Sequence, residues 1–465
     1  MNQPILSMIT LFSFCALSAQ PAAAFCGFYV AKADASLFNN ASQVVLARHD
    51  NKTVITMSND YQGELTEFAM VIPVPEVLNK EQIHIANQKD IDHLDAYTAP
   101  RLVEYFDKNP CQRPMPYQRR GALPKTAKMK ESGAAPMQSR NLGVTIEASY
   151  TVGEYDILIL SAKESGGLLT WLEANNYKIP KNAANVLESY IKQDTKFFVA
   201  KVNLEEQAKA GFTKLRPLSM AFETPKFMLP IRLGTVNANG PQDLIIYTLT
   251  SKGRVEATNY RTVKLPTGQD IPPYVKNEFK PFYKDMFATA VHKEDMKAVF
   301  LEYAWNMGWC DPCAADPLSP KQLRELGAFW INAPSENSGP NQINRRRRPS
   351  NGLARNAYVT RLHIRYTGDK FPDDLRFQET VNTQNFQARY VLRHPYTGNA
   401  QCAEIENYKR RVVERREKER VTLAGLTGWD MTHIRNNSAL SFEAPTKPLP
   451  PIKPKLPWYR RIWGD

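Results

Sequence analysis

Val44-Val45-Leu46-Ala47-Arg48-His49-Asp50-Asn51-Lys52-Thr53-Val54-Ile55-Thr56-Met57 decides the fold class of this 465-residue chain. Val44 to Leu46 and Thr53 to Met57 are short apolar runs on either side of Asp50-Asn51-Lys52, a pattern that predicts a hairpin. Phe68 to Val74 supplies a third strand, which Pro75 stops. Asp90 to Asp107 then places Leu94, Tyr97, Leu102 and Tyr105 at three- and four-residue spacings, predicting a helix interrupted at Pro100.

The same strand-then-helix grammar recurs downstream. Val144 to Val152 and Tyr155 to Leu160 predict paired strands across Gly153-Glu154. Leu168 to Asn176 and Pro180 to Gln193 predict two helices, read as a packed helical hairpin, the second opening with proline where its missing N–H costs nothing. Lys293 to Met307, with Met296, Phe300, Tyr303 and Met307 in step, predicts a further helix. Tyr358 to Tyr366, Asp374 to Glu379 and Asn385 to Arg393 predict three more strands. The first of these alternates, with Tyr358, Thr360, Leu362, Ile364 and Tyr366 on one face and Val359, Arg361, His363 and Arg365 on the other. Phe28-Tyr29-Val30-Ala31-Lys32-Ala33-Asp34 is echoed by Phe197-Phe198-Val199-Ala200-Lys201-Val202-Asn203, each ahead of three short strands, which suggests an internal duplication. The expected class is α+β, with β-rich modules of short antiparallel strands and inserted helical pairs.

The N-terminus sets the compartment. An apolar run from Ile5 to Leu17 precedes Ala22-Ala23-Ala24, small residues where a signal peptidase reads, so the mature chain is expected to begin at Phe25. The run is shorter than the roughly 20 residues a membrane span needs. Phe25 is too bulky to make Cys26 a lipoprotein site. The expected location is periplasmic or extracellular, with peripheral membrane association through the tail as an extension.

The formal charge of +13 is unevenly spread: Arg113 to Arg140 carries +6, Asn341 to Arg355 +5 and Ser441 to Asp465 +3, leaving the remainder near neutral. The basic character therefore belongs to linkers and a tail. The resulting map is a signal at 1–24, a β-rich module with helix at 25–112 and a basic linker at 113–142. A β/helical region follows at 143–340, then a second basic linker at 341–355, strands and a basic helix at 356–435, and a Pro-rich basic and aromatic tail at 436–465. Export argues against nucleic acid as a partner. The tail ends in Trp458-Tyr459-Arg460-Arg461-Ile462-Trp463, which suits an anionic membrane surface or an envelope protein, or a clasp on the protein's own body. Oligomeric state is not legible.

Four motifs stand out between Phe25 and Trp330: Cys26-Gly27-Phe28-Tyr29-Val30, Val54-Ile55-Thr56-Met57-Ser58-Asn59-Asp60-Tyr61, His93-Leu94-Asp95-Ala96-Tyr97-Thr98-Ala99-Pro100-Arg101 and Tyr303-Ala304-Trp305-Asn306-Met307-Gly308-Trp309-Cys310-Asp311-Pro312-Cys313. On these motifs the stretch resembles the domain-of-unknown-function 2330 family of bacterial exported proteins. It implies export and no particular chemistry.

The mature chain keeps five cysteines, Cys26, Cys111, Cys310, Cys313 and Cys402, all disulfide candidates in an oxidising compartment. Cys26 and Cys111 bracket the first module and are expected to pair. Trp309-Cys310-Asp311-Pro312-Cys313 looks like a thioredoxin-type site, making Cys310 and Cys313 the redox alternative. The expected helix in front of Cys310 and the acid at Asp311 both disfavour a thiolate, so a structural role is expected. Cys310, Cys313, Cys402 and His394 would complete a zinc set only with separated ligands, and no metal is expected. Asp90, Asp92, His93 and Asp95, near Tyr97 and Arg101, read as an acidic helix start rather than a cation site. Ser189 and Lys192 have serine–lysine spacing by coincidence. No cofactor motif is present, the catalytic residues are unknown, and the expected role is binding or structural rather than enzymatic, with thiol–disulfide exchange as the alternative.

Overall fold

The computed structural model describes residues 22–23, 28–31, 38–62, 68–112, 144–163, 165–175, 183–203, 205–206, 215–238, 240–308, 316–331 and 357–442. Both basic linkers, Cys26, Cys310, Cys313 and the chain beyond residue 442 lie outside the described residues.

The first segment contains β1 (Ala22–Ala23), β2 (Phe28–Ala31), β3 (Phe38–His49), β4 (Lys52–Gln62), β5 (Phe68–Val74) and β6 (Ile83–Ile85). The hairpin closes with His49 opposite Lys52, and Asp50 takes a left-handed φ of 53° that a short polar side chain tolerates. Helix α1 (Gln88–Thr98) is capped by Asn87, whose side chain accepts from the Lys89 N–H. Its expected continuation past Pro100 is instead strand β7 (Arg101–Phe106), because proline ends the helix and the residues after it pair with a strand distant in sequence.

The middle of the chain adds β8 (Val144–Val152), β9 (Tyr155–Ala162), α2 (Ser165–Ala174), α3 (Ala183–Ile191), β10 (Lys196–Val202), β11 (Leu218–Glu223), β12 (Met228–Leu229), β13 (Gln242–Thr250), β14 (Val255–Ala257), β15 (Arg261–Lys264) and β16 (Gln269–Ile271). Gly153, at φ 59°, turns β8 into β9. Helix α4 (Phe279–Lys293) and β17 (Ala298–Asn306) then correct the sequence reading. The helix lies one segment upstream of Lys293 to Met307, and Asp295 and Met296, both left-handed, reverse the chain into a strand. Val299 and Leu301 pack on one side of β17, Phe300 and Tyr303 on the other. A strand covered on both faces loses the period of two, so its apolar positions can mimic helical spacing.

The remaining elements are α5 (Pro320–Glu325), β18 (Tyr358–Tyr366), β19 (Leu375–Glu379), β20 (Phe386–Gln387), β21 (Arg389–His394), α6 (Glu404–Thr427) and α7 (Met431–Asn437). Ser319 caps α5 in a reciprocal box with Gln322, and Pro320 is its first residue.

The fold is α+β, with four sheets among the described residues. The largest runs β15-β17-β18-β13-β3-β4-β11-β6, with β1 and β20 attached. Strands from 25–112, 143–340 and 356–435 thus share one sheet. Most pairings are antiparallel, but β3–β13, β15–β17, β1–β13, β16–β21 and β7–β21 are parallel. A second sheet, β2-β5-β10-β9-β8, stacks on the first, and Val44, Ile55, Leu362 and Ile364 meet Ile72, Ile157 and Phe198 in the core between them. The two echoed segments, β2 and β10, flank β5 on opposite sides, both antiparallel to it. Helices α2 and α3 cover the outside of the second sheet, and α1 and α5 cover part of the outside of the first. Helices α4, α6 and α7 pack around β16 and β21 at the far end.

Candidate functional site

The alternation of β18 sends its apolar face into the core between sheets and its charged face toward the helices, where it is buried rather than solvated. Arg361 is 4% exposed and His363 6%. Isolated charges there would be costly, so each has a partner. Arg361 donates Nε to Glu302 Oε2 at 2.6 Å and Nη1 to Asp95 Oδ1 at 2.7 Å. His363 Nδ1 lies 2.8 Å from Glu302 Oε1, and because a carboxylate can only accept, that nitrogen carries the proton. The Tyr283 hydroxyl from α4 also donates to Glu302, and the Tyr247 hydroxyl donates to Asp95 at 2.5 Å. Phe287 stacks on the His363 ring at 3.7 Å. Arg365 completes the row with two 2.7 Å bonds to Asp243.

Glu302 reaches this cluster because it sits at a register shift between Leu301 and Tyr303, where β17 carries one residue more than β18 opposite. Such a bulge re-aims a side chain. Burial acts to raise the Glu302 carboxyl, but Arg361, His363 and Tyr283 outweigh it and hold it at about 2. A carboxylate so stabilised is a poor base near neutral pH, and its contacts tie β17, β18, α1 and α4 together.

The residues singled out in the sequence are dispersed. Asp95 joins the buried cluster. Asp90 and His93 both meet the Gln322 amide, at 3.0 and 2.9 Å, tying α1 to α5, while Asp92 accepts from Gln88. Arg101 donates to the Tyr97 carbonyl. Cys111 bonds Cys402, with Cα atoms 5.9 Å apart, which overturns the expected Cys26–Cys111 pair. It also removes Cys402 from the zinc set, whose His394 instead contacts Glu104 at 2.9 Å and stacks on Phe106. Sequence order hid this pairing because β7 and β21 lie side by side, bringing the first module's end to the C-terminal segment. Ser189 donates to the Val186 carbonyl and Lys192 pairs with Glu188, so neither engages the other.

Two adjoining cavities lie where the edges of the two sheets meet α3, sharing Gln193, Lys226 and Met228. One, of about 200 Å³, is walled chiefly by Pro73, Val74, Pro75, Phe222, Pro225 and Pro230. The other, of about 380 Å³, gathers Lys226, Arg232 and Arg376 beside Phe227 and Phe377, with Thr258, Asp373 and Asp374. Register brings Arg376 opposite Met228. Arg48, buried over the Phe227 ring, donates to the Pro225 and Lys226 carbonyls and holds that loop. Ser189 Oγ accepts from Arg232 Nη1 at 2.7 Å. Asp374 Oδ1 is occupied by the Tyr190 hydroxyl at 2.6 Å and the N–H groups of Ile231 and Arg232, and burial raises its carboxyl. Among the described residues no carboxylate lies within ion-pair distance of Lys226, Arg232 or Arg376. Sequence reading passes over these three because Lys226 and Arg232 flank the two-residue strand β12 and Arg376 lies within β19, each as one ordinary cation. The Pro225 to Pro230 bracket is the available signal.

Among the described residues no group of histidine, cysteine and carboxylate side chains is arranged to hold a metal ion. The family model described as "Uncharacterized protein conserved in bacteria (DUF2330)" matches residues 20–378. No curated protein and no solved structure matches the chain.

Proposed function

The chain belongs to the DUF2330 family of uncharacterised bacterial exported proteins, and from that premise we propose that it is a non-enzymatic binding protein of the cell envelope, working in the periplasm or outside the cell. The observation that carries this reading is the joined cavity pair, where Lys226, Arg232 and Arg376 line one cavity with no carboxylate within ion-pair distance of them among the described residues. A cavity of this size, walled by apolar side chains with a few convergent polar groups, suits a small ligand. Within the buried cluster on β17 and β18, Glu302, His363 and Tyr283 are committed to one another. A disulfide between residues 291 apart supports an oxidising compartment. The basic, aromatic tail at 436–465 would place the protein on an anionic membrane surface or against an envelope protein.

Native mass spectrometry of the protein recovered from the envelope fraction tests the reading. A bound small molecule that is lost in Arg232→Ala is expected. Protein that is bare in every preparation, with a melting temperature unmoved by envelope extract, refutes it.

A further inference from the structure

We infer that the joined cavities take a phosphate monoester carrying a short apolar group, its phosphate among Lys226, Arg232 and Arg376 and its apolar part in the proline-walled cavity. This rests on the binding reading above and specifies what is bound. The division of the site into two unlike halves carries it. The larger cavity presents three cations against two carboxylates, and one of these, Asp374, already has Oδ1 filled by a hydroxyl and two backbone N–H groups. Asp373 is the remaining acid on that wall. Two guanidinium groups and an ammonium favour a compact oxyanion with several acceptor atoms, which arginine grips through paired N–H donors. Because the cations on this wall outnumber the acids, a phosphate monoester, near two negative charges at neutral pH, gains more there than a carboxylate with one.

The smaller cavity is of different chemistry. Pro73, Val74, Pro75, Phe222, Pro225 and Pro230 offer carbon surface and no cation besides the shared Lys226. Lys226 and Met228 stand on the wall common to both cavities, so a molecule with its charge near Lys226 can extend across Met228 into the apolar half. A fully hydrated anion would leave that half unused. An uncharged apolar molecule would bring the three cations no anion, leaving Lys226 on the Gln193 amide and Arg232 on Ser189.

Isothermal titration of the exported chain with defined probes tests this: n-hexyl phosphate, ethyl phosphate, inorganic phosphate, hexanoate and hexyltrimethylammonium. Hexyl phosphate is expected to bind about tenfold or more tighter than inorganic phosphate, with ethyl phosphate between them, since each added methylene buried strengthens binding. Hexanoate should bind more weakly than hexyl phosphate, and hexyltrimethylammonium not at all. Arg376→Ala, on an exposed strand position, should weaken hexyl phosphate at least about fivefold while leaving the circular dichroism spectrum and melting temperature of the free protein unchanged. Arg376→Lys should recover part of the loss. Equal affinity for hexyl and inorganic phosphate overturns the apolar half of the inference, and hexanoate or hexyltrimethylammonium binding as well as hexyl phosphate overturns the phosphate half. Unchanged affinity in both Arg376→Ala and Arg232→Ala overturns the location. A small molecule retained in native mass spectra that no phosphate probe displaces leaves the binding reading standing and refutes this inference alone.

Discussion

Arg361 and Glu302 face each other across β18 and β17 with Nε and Oε2 2.6 Å apart, and both side chains are closed off from solvent, Glu302 completely. A buried pair of this kind adds little net stability relative to apolar residues of similar volume, yet removing one partner strands the other charge. Its role is one of position: it fixes the angle at which α1 and α4 sit on the sheet.

Glu302→Gln should therefore cost about 3 kcal/mol of unfolding free energy, read from urea denaturation, the low end for a broken buried pair, because Arg361 would lose its fully buried counter-charge and keep Asp95. The double variant Glu302→Leu with Arg361→Met should lose clearly less. With the Glu302 carboxyl held at about 2 in the folded protein against an ordinary 4.5, its contribution is complete above pH 4.5 and is lost as pH falls toward 2. Wild type and Glu302→Gln should accordingly converge in stability over that window. Parallel curves down to pH 2 would mean that Glu302 is not ionised in the fold.

Glu419 on α6 shows the opposite behaviour. It is 1% exposed, and Arg416 Nη1 lies 2.8 Å away, but neither carboxylate oxygen has an aligned hydrogen bond among the described residues. Burial pushes its carboxyl up to about 7, against the pull of Arg416 and Arg415. A raised acid binds its proton more tightly folded than unfolded, so its ionisation costs stability as pH rises from 4.5 through 7. The difference in unfolding free energy between wild type and Glu419→Gln should shift in favour of the variant between pH 5 and pH 8. A constant difference over that range would contradict the burial argument.

Non-reducing peptide mapping should recover the Cys111 and Cys402 peptides as one species. Closing so long a loop is worth about 5 kcal/mol in the chain-entropy model, so Cys402→Ser should lower the melting temperature markedly in oxidising buffer and not at all when both proteins are reduced. Cys26 found bonded to Cys111 would restore the pairing expected from sequence.

Cys310 and Cys313 are predicted to be inactive in insulin reduction. The helix expected in front of them is strand β17, which leaves Asp311 as the group that disfavours a thiolate at Cys310. Rapid alkylation of reduced Cys310 at pH 6, with insulin turnover above the dithiothreitol background, would establish the redox alternative.

Short-range chemistry was legible in the chain itself. Asp50-Asn51 between apolar runs, Gly153 between β8 and β9, and Ser319-Pro320 before α5 each act within a few residues, and the structure has a turn or a helix start at each. The alternation in Tyr358 to Tyr366 was equally local and identifies a strand with two chemically distinct faces. What covers those faces was not legible, because coverage depends on partners hundreds of residues away. Strand β17 read as a helix because burial on both sides erased its period, and the charged face of β18 is buried only because Glu302, Asp95 and Tyr283 arrive from three other elements. The Cys111–Cys402 bond and the cavity cations Lys226, Arg232 and Arg376 belong to the same class: no spacing in the chain encodes them. Local backbone preference determined the turns, the helix starts and the alternating strand, and the tertiary structure alone decided what covers each face, which charges are neutralised inside and which face a cavity.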